Sequence, residues 1–595
     1  MGASDLPALP GFGAELFRGR LRTDLLALPP GDPRRLDDAA EEFLARLREF
    51  CENEVDGALI ERADRIPDHV IEGLKDLGAF CVKIPREYGG LGLSGVCYHR
   101  ALMIVSTVHS ALGELLAAHQ AIGLPQPVAL FGTAEQKREF LPRCVREISA
   151  FTLTEADIGN DPYRMRTTAV PDRAAGTYTL DGVKLWATNG VIADLLVVMA
   201  LVPASDNGSG GMTAFVVEAG AAGVTVEHRS SFLGLRGLEN GVIRLDGVVI
   251  PARHRIGEEG AGLEIALAAQ DTGRLSLPAV CAAAAKWSLK IAREWAGARV
   301  QWGRPIGEHD AVAGKLAFIA ATAFALEAVV EVSGHHADLG RDTRLDAELA
   351  KLFASEKAWL VADELVQLRG GRGYETAESA VARGERGVPV EQLLRDLRIG
   401  RIFDGSSEVL RVFLAQAVIE GRPSAGHLTA VADSGDPVSA GAGWADPLAG
   451  HLRFVDHAAR RLARLIGEAA ERPGFEDEQR HLGRIVDIGA ELYAMSASCV
   501  YAVARSGHGD ATTELADVFC AQARRRVEDL FAWMSLNTDD HDRAVARRLL
   551  EDRYAWLEEG IIDPSVDGPW VAEPKPGPAT GPNLRRTVPA GTPEC

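Results

Sequence analysis

The sequence lacks most of the short patterns that announce a chemistry. Its eight cysteines (Cys51, Cys81, Cys97, Cys144, Cys281, Cys499, Cys520 and Cys595) are scattered and form no C-x-x-C pair. That excludes a zinc ribbon or a dithiol redox motif and reads as reduced, mostly buried, small apolar residues. No H-E-x-x-H, no G-x-S-x-G and no Walker loop occurs, and no G-x-G-x-x-G stands between a strand-like and a helix-like stretch. A zincin, an α/β-hydrolase, a P-loop enzyme and a Rossmann dinucleotide site are thereby set aside. Positive charge is in deficit: 64 Lys and Arg stand against 84 Asp and Glu, a formal net charge of −20. A general nucleic-acid binder is excluded on that balance, and an anionic ligand would need a locally basic pocket. Uninterrupted apolar runs are also missing. Ala101–Ala118 is broken by His109 and Glu114, and Val312–Val330 carries Lys315 and Glu327. Both read as buried bundle helices rather than membrane spans. No basic-then-apolar leader is read at the start, so a cytoplasmic protein is expected. His335-His336 and Asp539-Asp540-His541-Asp542 lack further ligands at a fitting spacing and read as solvated helix ends, so no metal site is expected.

What is present is a long chain with ordinary globular composition. Its 595 residues with 47% apolar content predict three or four structural units. Residues 36–150 read as helical; in Asp37–Val55, Ala40, Phe43, Leu44, Leu47 and Phe50 recur at helical spacing. Pro85–Gly95 is Gly-rich and reads as a loop. From Phe151 the texture changes. Tyr178–Leu180, Leu195–Met199, Ala214–Val217 and Val242–Leu245 are short β-rich runs punctuated by Gly and Asp, so 151–261 is expected to form a β domain of antiparallel character. Helical pattern returns over 262–422, with Val312–Val330 apolar on nearly every face. Residues 423–450 read as a linker, 451–560 as a further helical domain and 561–595 as an extended tail rich in Pro and Gly. The fold class expected is α+β, mostly α.

Four segments carry the chemical signal. They are Phe151-Thr-Leu-Thr-Glu155 with Gly159-Asn160-Asp161; Lys184-Leu-Trp186-Ala-Thr188-Asn189; Arg299-Val-Gln301-Trp302-Gly303-Arg-Pro-Ile306; and Gln367-Leu-Arg-Gly370-Gly371-Arg-Gly373-Tyr374, continuing through Arg395-Asp396 to Ile402-Phe-Asp404-Gly405-Ser406-Ser407-Glu408. In order, spacing and placement they resemble the acyl-CoA dehydrogenase family over roughly Leu36 to Ala417. The helices after His451, including Gly489–Met495, look similar to the C-terminal domain of its very-long-chain branch.

The resemblance implies FAD. A flavin needs an aromatic stacking face and donors along its polar edge. Phe151, Leu153, Thr154, Gly159, Asn160, Trp186 and Thr188 match the family's flavin-contacting positions, Thr188 near N5. Arg299, Gln301 and Trp302 from one subunit and Gln367, Gly370 and Gly371 from its neighbour match those around the rest of the cofactor, with Ser406 and Glu408 beyond. A core tryptophan on a strand is the plainer reading of Trp186 alone, and a helix cap followed by a turn that of Gly370-Gly371.

The resemblance further implies that a carboxylate removes the α-proton of an acyl thioester while hydride leaves the β-carbon for the flavin. The matching position is Asp404, where the family usually has Glu. Asp is one methylene shorter, and a misplacement of ~1 Å can cost on the order of 100-fold in rate. Asp404 before Gly405-Ser406-Ser407 also reads as a helix N-cap. A second family solution puts the base just before Arg274, but that residue is Gly273. Substrate contacts are implied for Asn160, Asp271, Arg274, Phe403 and Gly405. The family's Thr-Glu-Pro reads Thr154-Glu155-Ala156, the Ser of its Gly-Ser-Asp is Asn160, and Ala377–Gly387 reads as an insertion. An acyl-CoA or carrier-protein thioester as substrate, an electron-transfer flavoprotein as acceptor and a homodimer are implied partners. A flavin oxidase or monooxygenase acting on another carbon acid, and a catalytically silent member, remain open alternatives. Leu428–Gly450 has three Asp and no Lys or Arg, so stable anchoring to anionic membranes is not expected.

Overall fold

The computed structural model describes residues 11–28, 34–205, 210–420, 446–505 and 510–575. Most of the expected linker and the end of the tail lie outside these residues. A short helix, α1 (Phe12–Phe17), comes first; its apolar residues are buried against later helices. Next come α2 (Asp38–Glu54), α3 (Gly57–Ala63), α4 (Asp68–Asp76), α5 (Gly95–Val108), α6 (Ser110–Ala117), α7 (Pro125–Phe131) and α8 (Ala134–Phe140). The Asp37 carboxylate accepts from the Ala40 N–H and caps α2, and Ala40, Phe43, Leu44 and Leu47 are buried as the spacing predicts. A π-helical turn, Ala118–Ile122, follows α6 directly.

The β strands are β1 (Ser149–Thr152), β2 (Thr168–Asp172), β3 (Thr177–Ala187), β4 (Leu195–Val202), β5 (Gly211–Glu218), β6 (Val224–Arg229), β7 (Gly241–Pro251) and β8 (Arg255–Ile256). They form one sheet in the order β6-β7-β3-β2-β4-β5-β8, with β1 also beside β4. The expected antiparallel character holds for most pairs but not all, because β1 and β2 each pair with β4 in parallel. The chain reaches β4 from β1 through the β2-β3 hairpin rather than through a helix. A parallel pair therefore formed without the helical crossover on which the antiparallel expectation depended.

The helical bundle consists of α9 (Gly262–Ala298), α10 (Asp310–Asp338) and α11 (Arg344–Arg369), then α12 (Gly371–Tyr374), α13 (Ala377–Ala382), α14 (Val390–Leu397) and α15 (Ser407–Glu420). A two-residue-strand hairpin, β9 (Val300–Gln301) with β10 (Arg304–Pro305), projects from the end of α9. Helix α10 is long and apolar enough to cross a membrane, but its middle is buried among other helices of this chain. The final helices are α16 (Asp446–Ala470), α17 (Gln479–Ala504), α18 (Ala511–Trp533) and α19 (Asp539–Leu550). Helix α17 is the centre of this layer and is buried over most of its length. It packs against α10, α11, α15, α16 and α18, so the added helices extend the bundle's core.

Candidate active site

The first and second motifs meet through the backbone. The Leu185 N–H donates to the Thr154 carbonyl at 2.9 Å. Beside that contact the buried Lys184 ammonium donates to Glu155 Oε1 at 2.8 Å and to the Leu153 carbonyl at 3.3 Å. Glu155 also accepts from the N–H groups of Arg166 and Thr167. A buried pair satisfied on this many sides locks Phe151–Glu155 onto β3.

Trp186 is not a core residue. It sits at φ 54°, at a register irregularity between β3 and β7, and is 57% exposed. A bulky residue in the left-handed region is strained, and bulges of this kind re-aim side chains next to functional sites. The buried Asn240 holds the bulge, its Nδ2 donating to the Trp186 carbonyl at 3.0 Å and to Thr188 Oγ1 at 3.2 Å. Asn189, also at positive φ, donates to the Leu115 carbonyl at 3.0 Å. The side-chain oxygens of Asn189 and Asn240 are buried without a hydrogen-bond partner. Two acceptors beside an exposed indole fit a flat ligand that presents N–H donors. Gly159 and Asn160 lie open to solvent nearby in sequence, and a β-carbon on Gly159 would meet nothing within 4 Å.

Sequence reasoning did not single out Asn240. Arg395 and Asp396 act on the loop that delivers it. Arg395 donates to the Leu233 carbonyl at 2.9 Å and to Glu61 at 2.8 Å, and Asp396 Oδ1 accepts from the Leu235 N–H at 2.7 Å.

The segment from Ser110 to Ile122 joins this edge to Asp404. It begins at Asn189 through Leu115 and ends at Gly273, where an added β-carbon would come within 2.7 Å of Ile122 Cγ2 and 3.9 Å of Asp404 Oδ2. Asp404 and Gly405 both have positive φ, 52° and 87°. Asp is among the few non-glycine residues that tolerate this conformation. The helix-cap reading of Asp404 fails. Helix α15 starts at Ser407, and Ser406 does the capping: its Oγ accepts from the Val409 N–H at 3.4 Å and its carbonyl from Leu410 at 2.9 Å. The Asp404 carboxylate takes no part in that cap.

Burial raises the Asp404 pKa, opposed by the positive charges of Lys351 and Arg274. Lys351 is fully buried, donates to the Gly405 carbonyl at 2.7 Å and is pushed down to about 8 by desolvation. Arg274 pairs with Glu348 at 2.7 Å and borders a cavity of about 650 Å³ with Phe17, Phe131, Leu267 and Val418. Helix α1, which sequence reasoning left unassigned, thus forms part of the wall beside the candidate substrate residues. Asp271 lies in α9, but its side chain is outside the described residues. Phe403 is half-buried and Glu408 exposed.

Glu114 is the other residue that sequence reasoning passed over, noting it only as a break in an apolar run. It is 8% exposed on α6, and its neighbours in sequence are buried. Burial and the nearby Asp404 charge push its carboxyl up to about 8.

The third and first part of the fourth motif lie elsewhere. Gly273 and Ala298 are 25 residues apart in one helix, about 37 Å at 1.5 Å per residue. Arg299, Gln301 and Trp302 follow that far end, with Trp302 89% exposed. Gln367, Gly370 and Gly371 are exposed at the same end, because Trp295 Nε1 donates to the Leu368 carbonyl at 3.1 Å. These two segments, expected to serve different subunits' sites, stand together on this chain, and both are remote from its own Asp404. Gly370 has φ 61° and ψ −137° and caps α11, its N–H donating to the Val366 and Gln367 carbonyls, so the cap reading holds. Buried Nε and Nη1 of Arg369 have no hydrogen-bond partner, and Arg369 and Arg372 both lie over the Trp295 ring. Unpaired guanidinium donors beside an open glycine turn fit an anionic phosphate group. The Ala377–Gly387 stretch forms α13 and a turn, meshed by Arg372–Glu385 and tied to α9 by Arg386–Glu294.

Comparison with known proteins gives one answer along the chain. Family models match the acyl-CoA dehydrogenase N-terminal domain at residues 37–147, the middle domain at 150–248 and the C-terminal domain at 260–419. A Mycobacterium tuberculosis protein named "Probable acyl-CoA dehydrogenase FadE10" is 53% identical, over 97% of this chain and 94% of its own. The human mitochondrial very long-chain specific acyl-CoA dehydrogenase is 32% identical, over 87% of this chain and 83% of its own. Among solved structures, an acyl-CoA dehydrogenase complexed with FAD from Bacillus anthracis superposes with a TM-score of 0.75 at 24% identity. It covers 92% of this chain and 99% of its own, which shows the fold.

Proposed function

The chain belongs to the acyl-CoA dehydrogenase family, and we propose on that footing that it oxidises an acyl thioester between its α and β carbons, with Asp404 as the base. The observation that carries the proposal is the placement of the Asp404 carboxylate: half-buried, relieved of capping by Ser406, and next to the helix that bears Gly273 and Arg274. Its raised pKa suits a base that must take a proton from carbon. Lys351 and Arg274 supply positive charge where negative charge passes from carboxylate to substrate, and the low-dielectric surroundings strengthen that effect. Asn240 and Asn189 fix the strained Trp186–Asn189 bulge, and the Lys184–Glu155 pair holds Thr154 against it. These residues would hold the flavin ring of FAD, which accepts the β-hydride when bound.

Arg299, Gln301, Trp302, Gln367, Gly370 and Gly371 would hold the cofactor's phosphate and adenosine end. They stand about 37 Å along α9 from Asp404's neighbour Gly273, farther than one dinucleotide reaches. The reading therefore includes a homodimer in which one copy's bundle end serves the other copy's ring site. An acyl-CoA substrate, an electron-transfer flavoprotein as acceptor and a soluble, cytoplasmic setting without stable membrane anchoring belong to the same reading.

The test is to reconstitute the protein with FAD and titrate it under nitrogen with acyl-CoAs of increasing chain length, and with nitroalkanes. FAD binding is read first, by quenching of flavin fluorescence. Bleaching by an acyl-CoA with formation of the 2-enoyl product supports the proposal. Bleaching by nitroalkanes alone assigns another carbon acid, and tight FAD binding without bleaching by any compound assigns a silent member.

A further inference from the structure

The end of the described chain has an organisation that the single copy does not explain. From Asp540 to Glu573 every residue except Ala544 and Tyr554 is exposed. Helix α19, twelve residues long, lies in this stretch but for its first residue, and is followed by turns, a 3-10 helix (Ala555–Glu558) and irregular chain. A helix of that length is marginal alone in water, since ordering it costs conformational entropy that only burial offsets. Both ends of the stretch are nevertheless fixed to the body. At one end Asp539 accepts from Arg484 at 2.6 and 2.7 Å. At the other, Glu573 pairs with Arg166 at 2.8 Å, the Pro574 carbonyl accepts from Arg244 at 3.2 Å and the Lys575 carbonyl is 3.1 Å from His228 Nε2. The chain thus forms a bracket from the added helical layer to the edge of the β sheet.

Among the charged outward groups of the bracket stand six large apolar ones. Leu550, Trp556, Ile561, Ile562, Val566 and Trp570 are all more than half exposed, Trp570 completely. Two tryptophans and four aliphatic chains represent on the order of 700 Å² of apolar surface. That is close to one partner's share of a standard protein interface, about 800 Å². A lipid surface is the poorer occupant: over residues 540–572 eight acidic residues stand against four basic, and anionic headgroups repel such a segment.

We propose that residues 540–572 are a strap that a second copy of this chain covers. The inference extends the two-copy flavin site proposed above, which needs that second copy independently.

The experiment uses the full-length holoprotein. Acrylamide quenching of Trp556 and Trp570 is obtained as the difference between the parent and a Trp556→Phe/Trp570→Phe variant, alongside sedimentation velocity across a dilution series. The strap predicts shielded tryptophans in a dimer, becoming accessible at the concentration where the dimer dissociates. Ile562→Asp should weaken that dimer by about tenfold or more. Shielded tryptophans in a monomer, or accessible tryptophans in a dimer that Ile562→Asp leaves unchanged, would overturn the strap. In the second case flavin bound by the intact dimer leaves the shared-site reading standing, and flavin bound tightly by the monomer removes that reading instead.

Discussion

Asp404 Oδ2 lies 3.9 Å from the point that a β-carbon on Gly273 would occupy. Two positions from different helices, α9 and the turn before α15, thus address one volume, and in this chain only the second supplies a carboxylate. The same added atom would stand 2.7 Å from Ile122 Cγ2, so Ile122 fills the space that a side chain at 273 would need.

Moving the base therefore requires two changes rather than one. Asp404→Gly should abolish flavin reduction by substrate. Adding Gly273→Glu alone should leave it abolished and lower thermal stability, because overpacking typically costs about 1–3 kcal/mol. Adding Ile122→Ala as well should restore measurable reduction. A Gly273→Glu/Asp404→Gly enzyme as stable and active as the triple variant would show that Ile122 does not occupy that space.

Asn240→Ala should lower FAD affinity without touching the base. The substitution leaves the Trp186 carbonyl and Thr188 Oγ1 without the donor they share, at a cost of about 1–3 kcal/mol, or roughly 5- to 150-fold in the FAD dissociation constant. Asn240→Asp keeps shape but loses the donor and should behave similarly. Fluorescence titration with FAD measures this. Unchanged affinity in both variants would mean that the bulge holds itself.

These residues show which parts of the structure the sequence could disclose. The bundle helices were legible because burial imposes a pattern: within the apolar run 312–330 residues 319–330 are mostly buried in α10, although Ala313, Gly314 and Ala317 near its start are exposed. Asp404, Trp186 and Thr188 were legible because they stand inside ordered motifs. Asn240 was not, because its role arises from a contact across the sheet to a bulge 54 positions away. Glu114 gave a signal, a lone acid in an apolar run, but its meaning depends on Asp404 being near it. The alternative reading of Asp404 as a cap fails for a local reason: two successive positive-φ residues push the helix start on to Ser407, so Ser406 becomes the cap. The parallel pairing of β1 and β2 with β4 is a matter of topology that alternation along single strands does not encode.

The pH profile of flavin reduction should have two limbs with different owners. The Asp404 pKa is raised by burial, so as pH falls the base is protonated and the rate drops above the pH of about 4 at which an ordinary aspartate titrates. Glu114, at about 8, is neutral at pH 7 and gains its charge as pH rises, opposing the negative charge that develops on the substrate. Lys351, also at about 8, loses its positive charge in the same range. Both changes lower the rate on the alkaline side. Glu114→Gln removes one of them, so the variant should keep a larger fraction of its pH 7 rate at pH 9 than the parent does. Identical alkaline limbs would assign the fall to Lys351 alone.

The most direct test of the account is the rate of anaerobic flavin reduction in Asp404→Asn, measured by stopped flow with an acyl-CoA that bleaches the parent. Asparagine keeps the size of the side chain and tolerates the left-handed backbone, and the helix cap belongs to Ser406, so the fold and the bound FAD should be unaffected. Only the capacity to accept the α-proton is lost. The account predicts normal FAD content, a flavin spectrum perturbed by bound substrate, and a reduction rate lower by about 100- to 10,000-fold. Reduction at the parent's rate would contradict it and leave Asp404 without a part in the chemistry.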